Sequence, residues 1–159
     1  MIKRTFVLIT FSLLFLSCSL SKEVREARKT VDGTWTLEDV GYAGNEGDFK
    51  AILFNDAEAV CFEGSTWFFR NNNSTGNYTI PQGSLCSGGM RNIRWSIIEN
   101  ESGGQQLQFK YIDEKKNDIN GRTGYRMDIV SLGLNQMTLK SDVQVDGAPV
   151  SVTYEFQKQ

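Results

Sequence analysis

The 159-residue chain carries 17 Lys and Arg against 19 Asp and Glu, a net charge of −2, and contains no histidine. That length fits one domain, and a chain of this size buries roughly two-thirds of its unfolded surface, enough for a single core. The charge balance supplies no concentrated basic face, which argues against a nucleic-acid partner, and the missing histidine removes the commonest transition-metal ligand, the usual neutral-pH base and the Ser-His and Cys-His triads.

Lys3 and Arg4 precede an apolar run from Phe6 to Leu16 that ends at Leu16-Ser17-Cys18. The run is too short to cross a bilayer of roughly 30 Å as a helix, so it reads as the core of an export signal over residues 1–17. The small Ser17 before Cys18 fits a lipobox, in which the cysteine receives lipid before cleavage. Phe15 stands where leucine is usual, and a plain secretory signal cut elsewhere is the alternative. Several acyl chains such as palmitate, at about 0.8 kcal/mol per buried methylene, make a stable anchor where one chain is marginal. The expected location is a bacterial cell envelope, most simply the outer membrane, with the membrane face left open.

Residues 18–30 follow as a polar stretch with Glu23, Arg25, Glu26, Arg28 and Lys29. They read as a lipidated tether or short helix that carries no core residue.

From Gly33 onward polar and apolar residues alternate with period two, as half-buried strands require. Eight segments show it: 34–41, 65–70, 75–80, 92–99, 105–112, 123–132, 136–143 and 149–157. The links Asn71-Asn72-Asn73, Gly103-Gly104, Gly133-Leu134-Asn135 and Asp146-Gly147 carry turn chemistry, so neighbours should be antiparallel and the last seven strands a meander. One long excursion, 42–64, joins the first two strands. It contains an apolar, helix-like run from Phe49 to Val60 suited to capping one end of the sheet.

With Cys18 assigned to lipid, Cys61 and Cys86 remain as a pair in an oxidising compartment, which favours a disulfide. Cys61 stands just before one strand and Cys86 just after its hairpin partner, so antiparallel pairing brings them together. Closing a loop of about 25 residues stabilises by roughly 3 kcal/mol on the chain-entropy account. A redox-active pair is the alternative, without the Cys-x-x-Cys spacing that usually marks one.

The alternation places an apolar face from Trp35 to Phe156 on one side of the sheet and residues such as Thr36, Arg94, Lys110 and Glu155 on the other. A lone eight-stranded antiparallel sheet with one greasy face hides it by closing on itself, so the expected fold is all-β, an up-and-down barrel with a short helical segment in the long first loop. A two-layer sandwich is the alternative, though sandwiches usually need Greek-key crossings.

Gly33-Thr34-Trp35 at the start of the first strand resembles the Gly-x-Trp signature of lipocalins. The element Cys61-Phe62-Glu63-Gly64-Ser65-Thr66-Trp67, followed by Gly76-Asn77-Tyr78, Cys86, Ile93-Arg94-Trp95, Gly124-Tyr125-Arg126 and Tyr154-Glu155-Phe156, is similar to the lipocalin-like lipoproteins of the Bacteroidota. The resemblance covers residues 31–159 and implies a calycin-type barrel whose long first loop acts as a lid. Two positions depart from it: Ser131-Leu132-Gly133 replaces a Thr-Asp-Tyr element, and no arginine follows the last strand to stack on Trp35, where Lys158 is the available cation.

An eight-stranded barrel is just wide enough to be filled by side chains or to hold one small ligand. Trp35, Phe69 and Phe156 are expected to pack a closed end, while Trp67, Tyr78, Trp95, Phe109, Tyr111, Tyr125 and Met127 are candidates to line an open half. For each of these residues ordinary core packing is the competing reading. The leading functional expectation is non-catalytic binding of a small hydrophobic or amphipathic ligand by a monomer, without cofactor or metal. The alternative is a protein-interaction or inhibitor lipoprotein with a filled barrel, acting through the loops 81–91 and 113–118. Asp113-Glu114 and the pair Asp142 and Asp146 sit in or beside turns with no base or nucleophile elbow nearby, which argues against an enzyme.

Overall fold

The computed structural model describes residues 20–43, 51–121, 123–145 and 147–159; the segment 1–17 expected to be an export signal, and Cys18, lie outside the described residues. A helix α1 (Lys22–Val31) leads into β1 (Gly33–Ala43), and the long connection after it holds β2 (Ile52–Leu53), β3 (Ala57–Glu58) and a 3-10 turn (Ala59–Cys61). There follow β4 (Thr66–Arg70), β5 (Thr75–Ile80), β6 (Gly89–Glu99), β7 (Gln105–Tyr111), β8 (Tyr125–Leu132), β9 (Gln136–Val145) and β10 (Ala148–Lys158).

The eight long strands close into an antiparallel barrel in the order β1-β10-β9-β8-β7-β6-β5-β4, β1 pairing with both β4 and β10. Every strand expected from the period-two pattern is present: β1, β6, β9 and β10 run one to a few residues longer than expected, β4, β7 and β8 are one or two residues shorter, and β5 matches. Tight pairing makes one glycine obligatory: a Cβ at Gly76 would lie 2.2 Å from the Phe68 carbonyl oxygen. The alternation slips once in β1, where a bulge between Leu37 and Asp39 changes the parity and turns Val40 inward. Such a bulge bends and further twists its strand.

One end of the barrel is closed by α1. Ser21 caps the helix by accepting the Val24 amide at 3.2 Å, and Arg28 and Lys29 occupy its last turn, where cations suit the helix dipole. Val24, Ala27 and Val31, spaced at helical periodicity, are buried against the barrel. This corrects the expectation of a coreless tether for residues 22–30. The polar composition concealed a narrow apolar stripe completed by the stem of Arg28, which is itself buried. Its guanidinium donates to the Asn71 side-chain and backbone oxygens, both at 3.0 Å, and to Ser74 Oγ at 2.8 Å, and it lies 4.8 Å above the Trp95 ring.

The Gly-x-Trp element sits at this closed end. Gly33 turns the chain from helix to strand at φ +120°, which side chains rarely permit. Trp35 is fully buried and donates Nε1–H to the Val31 carbonyl at 2.8 Å. Lys158 places its ammonium 5.0 Å from the Trp35 ring and donates to Thr30 O at 2.8 Å, so it supplies the cation expected there.

Candidate functional site

The opposite end of the barrel collects the aromatic residues that the sequence singles out. Tyr78 on β5, Tyr111 and Phe109 on β7, Tyr125 on β8 and Trp67 on β4 point inward at neighbouring levels of paired strands. They form one cluster: Trp67 stacks on Tyr78 at 4.4 Å, Phe109 lies 5.2 Å from Tyr125, and Tyr111 packs on Tyr125 at 5.6 Å. Met127 pairs with Leu107, one inward level further from the mouth than the Phe109 and Tyr125 pair. Trp95 lies apart from the cluster. It belongs to the closed half, edge-on to Phe69 at 5.3 Å, with Nε1–H donated to Thr75 O at 3.1 Å.

The space enclosed by the cluster is filled by a residue that the sequence reading did not select, Phe54. The apolar run 51–60 is a two-stranded hairpin followed by a 3-10 turn, in place of the helix-like segment expected across it. Asp56 N–H donates to Leu53 O at 3.0 Å, and both central residues of the turn, Phe54 at φ +53° and Asn55 at φ +51°, are left-handed, as a type I′ turn requires. Asparagine tolerates that region, whereas for phenylalanine it is a genuine outlier. The turn drives the Phe54 ring into the barrel. There it lies 5.0 Å from Phe109, 5.5 Å from Tyr125 and 6.1 Å from Trp67, stacked on Tyr154 at 5.6 Å and edge-on to Phe62 at 5.4 Å.

Two residues further on, Asp56 is latched to the rim. Its carboxylate meets the Arg91 guanidinium through two contacts, Nε to Oδ2 at 2.8 Å and Nη2 to Oδ1 at 3.0 Å, the fork geometry in which arginine holds carboxylates most strongly. Tyr78 donates its hydroxyl proton to Asp56 Oδ2 at 2.7 Å. Tyr111 then has one proton for two acceptors, Tyr78 Oη at 2.7 Å and the Phe54 carbonyl at 3.1 Å. Burial, then the neighbouring Tyr111 and Asp56, raise the Tyr78 pKa far above the ordinary tyrosine value. Burial raises Tyr111 as well, against the opposing effect of the hydrogen bond it shares with Tyr78. Both hydroxyls therefore stay neutral and act as donors at the rim. Tyr154, hydrogen-bonded to Ser141 at 2.9 Å, is pushed up to about 12, chiefly by burial.

A cleft of about 420 Å³ lies against this latch, lined by Asn55, Asp56, Met90, Arg91, Tyr111 and the Ile112–Glu114 segment with Ile119. A depression of about 580 Å³ lies on the outer wall, where Arg94, Lys110 and Arg126 project from the polar face. Among the described residues no group of three or more Cys, Asp or Glu side chains converges to hold a metal ion. Cys61 and Cys86 are bonded, with Cα atoms 5.5 Å apart, and fix the 3-10 turn behind the hairpin to the 81–88 loop.

Arg91 escaped the sequence reading because it ends the loop 81–91, and Asp56 because it falls inside the run 49–60 expected to be helix-like. The signals were an Asn55-Asp56 pair between short apolar runs, which is turn chemistry, and Arg91 in alternation with Ile93 and Trp95.

Residues 31–139 match the sequence profile of a family described as a lipocalin-like domain. Among solved structures, bovine odorant binding protein in complex with a selenium-containing odorant aligns at 14% identity, over 89% of this chain and 78% of that one, with a TM-score of 0.44. Lobster apocrustacyanin A1 aligns at 12% identity, over 86% of this chain and 65% of that one, with a TM-score of 0.42. No curated protein matches at a significant level.

Proposed function

Because the chain belongs to the lipocalin-like domain family, we propose that it is an envelope-anchored, non-catalytic protein that binds a small hydrophobic or amphipathic molecule in the open half of its barrel. The observation that carries this reading is the placement of Phe54. An apolar ring already occupies a cage of Trp67, Phe109, Tyr125 and Tyr154, and it is brought there by a short hairpin across the mouth, not by a barrel strand. Withdrawal of that hairpin leaves an apolar chamber rimmed by Tyr78 and Tyr111 hydroxyls, the composition that small-molecule sites favour. A closed barrel offers no sheet edge for pairing, and we take the protein to act as a monomer.

Native mass spectrometry of gently purified protein tests the binding role. A co-purified small molecule supports it, and repeated empty preparations of folded protein reject it. The anchor rests on the sequence of residues 1–18 and is tested separately: Cys18→Ala should move the protein from the membrane pellet to the soluble fraction, and continued pelleting removes the lipid anchor from the reading.

One observation favours a second reading. The described lumen is filled by the protein's own side chains, as in a barrel that works through its loops. The surfaces are then the loop 81–91, pinned at Cys86, and the charged loop 113–118.

A further inference from the structure

The hairpin Ile52–Glu58 brings two chemically different groups to the mouth: a phenyl ring into the aromatic cage and, two residues on, a carboxylate to the rim. Both groups are fully received. The ring meets Phe62, Trp67, Phe109, Tyr125 and Tyr154, and the carboxylate takes the Arg91 fork and the Tyr78 hydroxyl. The backbone that delivers the ring lies in a region bulky residues avoid, and such outliers persist only where the surroundings impose them.

We propose that Phe54 and Asp56 act as a built-in surrogate ligand, and that the seat they occupy takes an aryl carboxylate, the aromatic group in the cage and the carboxylate between Arg91, Tyr78 and Tyr111. The inference rests on the lumen-binding reading above and adds the class of ligand. When the hairpin swings out, Arg91 keeps the carbonyls of Gly89 at 2.7 Å and Ser87 at 3.4 Å and its place 6.0 Å from the Tyr78 ring, but no anion. A half-buried guanidinium without its anion is costly, and a planar carboxylate restores both contacts that Asp56 made. Tyr111 can still donate to Tyr78 Oη, but the Tyr78 proton then loses its acceptor, which a ligand carboxylate in the place of Asp56 Oδ2 restores. A neutral head group leaves Arg91 unpaired and is selected against. Asp113 and Glu114 line the adjoining cleft, so a single negative charge is favoured over a doubly charged phosphate. That cleft gives access from solvent to the head-group position while the ring position stays covered.

The test compares 4-phenylbutanoate with 4-phenylbutan-1-ol by isothermal titration calorimetry, using the full purified protein and a protein-free blank of the same detergent. Two variants loosen the surrogate differently: Phe54→Gly empties the cage and suits the left-handed backbone, and Asp56→Asn keeps the ring but drops the charge. Each should bind the acid at least about tenfold more tightly than the unmodified protein does, and at least about tenfold more tightly than the alcohol. Adding Arg91→Gln to either should abolish the preference for the acid while leaving binding of the alcohol. Equal binding of acid and alcohol by both variants overturns the carboxylate seat and leaves lumen binding standing. Acid affinity no greater in the variants than in the unmodified protein overturns the surrogate. Binding of neither compound by variants whose circular dichroism is native overturns this proposal and the lumen reading together.

Discussion

Phe54 stacks on Tyr154 inside the barrel mouth, ring centroids 5.6 Å apart and planes 25° from parallel, so the long first connection is held against the last strand. The stack joins a strained turn to a rigid wall, and the two terms separate by mutation. Removing a buried phenylalanine side chain costs about 3–5 kcal/mol in lost burial and cavity formation. Phe54→Ala incurs that cost and keeps a side chain at φ +53°. Phe54→Gly loses the same ring but relieves the left-handed backbone by about 1 kcal/mol. Urea denaturation should therefore rank the glycine variant above the alanine variant by about that amount. An alanine variant equal to or more stable than glycine contradicts a strained turn at this position.

The tyrosines at the mouth give the fold an alkaline limit. Tyr78, Tyr111 and Tyr154 all have pKa values raised by burial, the last to about 12, while an unfolded tyrosine titrates near 10. Between roughly pH 10 and 12 the unfolded chain has released protons that the fold still holds, so the stabilisation is present in full below about 10 and falls as pH rises. Thermal unfolding at pH 9 and pH 11 should show a clear loss at the higher value, and tyrosinate absorbance at 295 nm should develop fully only on unfolding. A melting temperature unchanged across that interval would mean that these hydroxyls titrate as freely in the fold as in the open chain.

The disulfide acts at the base of the same hairpin. Cys61 and Cys86 are 25 residues apart in sequence, and closing such a loop constrains the unfolded chain by roughly 3 kcal/mol. Cys61→Ser should lower the midpoint of denaturation in oxidising buffer, and reductant should lower the midpoint of the unmodified protein but not of the variant. If reductant leaves the unmodified protein untouched while the variant is destabilised, the loss comes from packing of the turn and not from the crosslink.

The barrel was readable from sequence because a sheet with one buried face repeats with period two, and among the described strands that rhythm slips at two bulges, Leu37–Asp39 in β1 and Ile129–Ser131 in β8. The seat of the functional reading was less readable. Residues 51–60 are apolar at positions that serve a helix or a hairpin equally well, and composition cannot place Phe54 in a backbone region that phenylalanine avoids. Arg91 ends a loop by turn chemistry, yet β6 begins at Gly89 and so carries Arg91 inward beside Tyr78. At the closed end, the Trp35 cation was legible down to the residue, because Lys158 is the cation that directly follows the apolar alternation of the last strand, which pairs with the strand carrying Trp35.

Arg28 is the residue through which α1 belongs to the domain. A bare apolar stripe of Val24, Ala27 and Val31 sets which face of the helix meets the barrel, but it does not fix the register of the helix along it. The planar fork of Arg28 does so, reaching the Asn71 carbonyl, the Asn71 side chain and Ser74 Oγ at once while lying on Trp95. A lysine ammonium is a single point on a flexible stem and cannot span those acceptors. Arg28→Lys should therefore cost about 1–3 kcal/mol, nearly as much as Arg28→Met, which keeps the stem and leaves the same acceptors bare. At about 2–4 °C per kcal/mol for a chain of this size, both variants should show a melting temperature lower by several degrees. A lysine variant that melts with the unmodified protein would assign the contribution of Arg28 to its charge over the Trp95 ring, and would leave the hydrogen-bonded fork without a structural role.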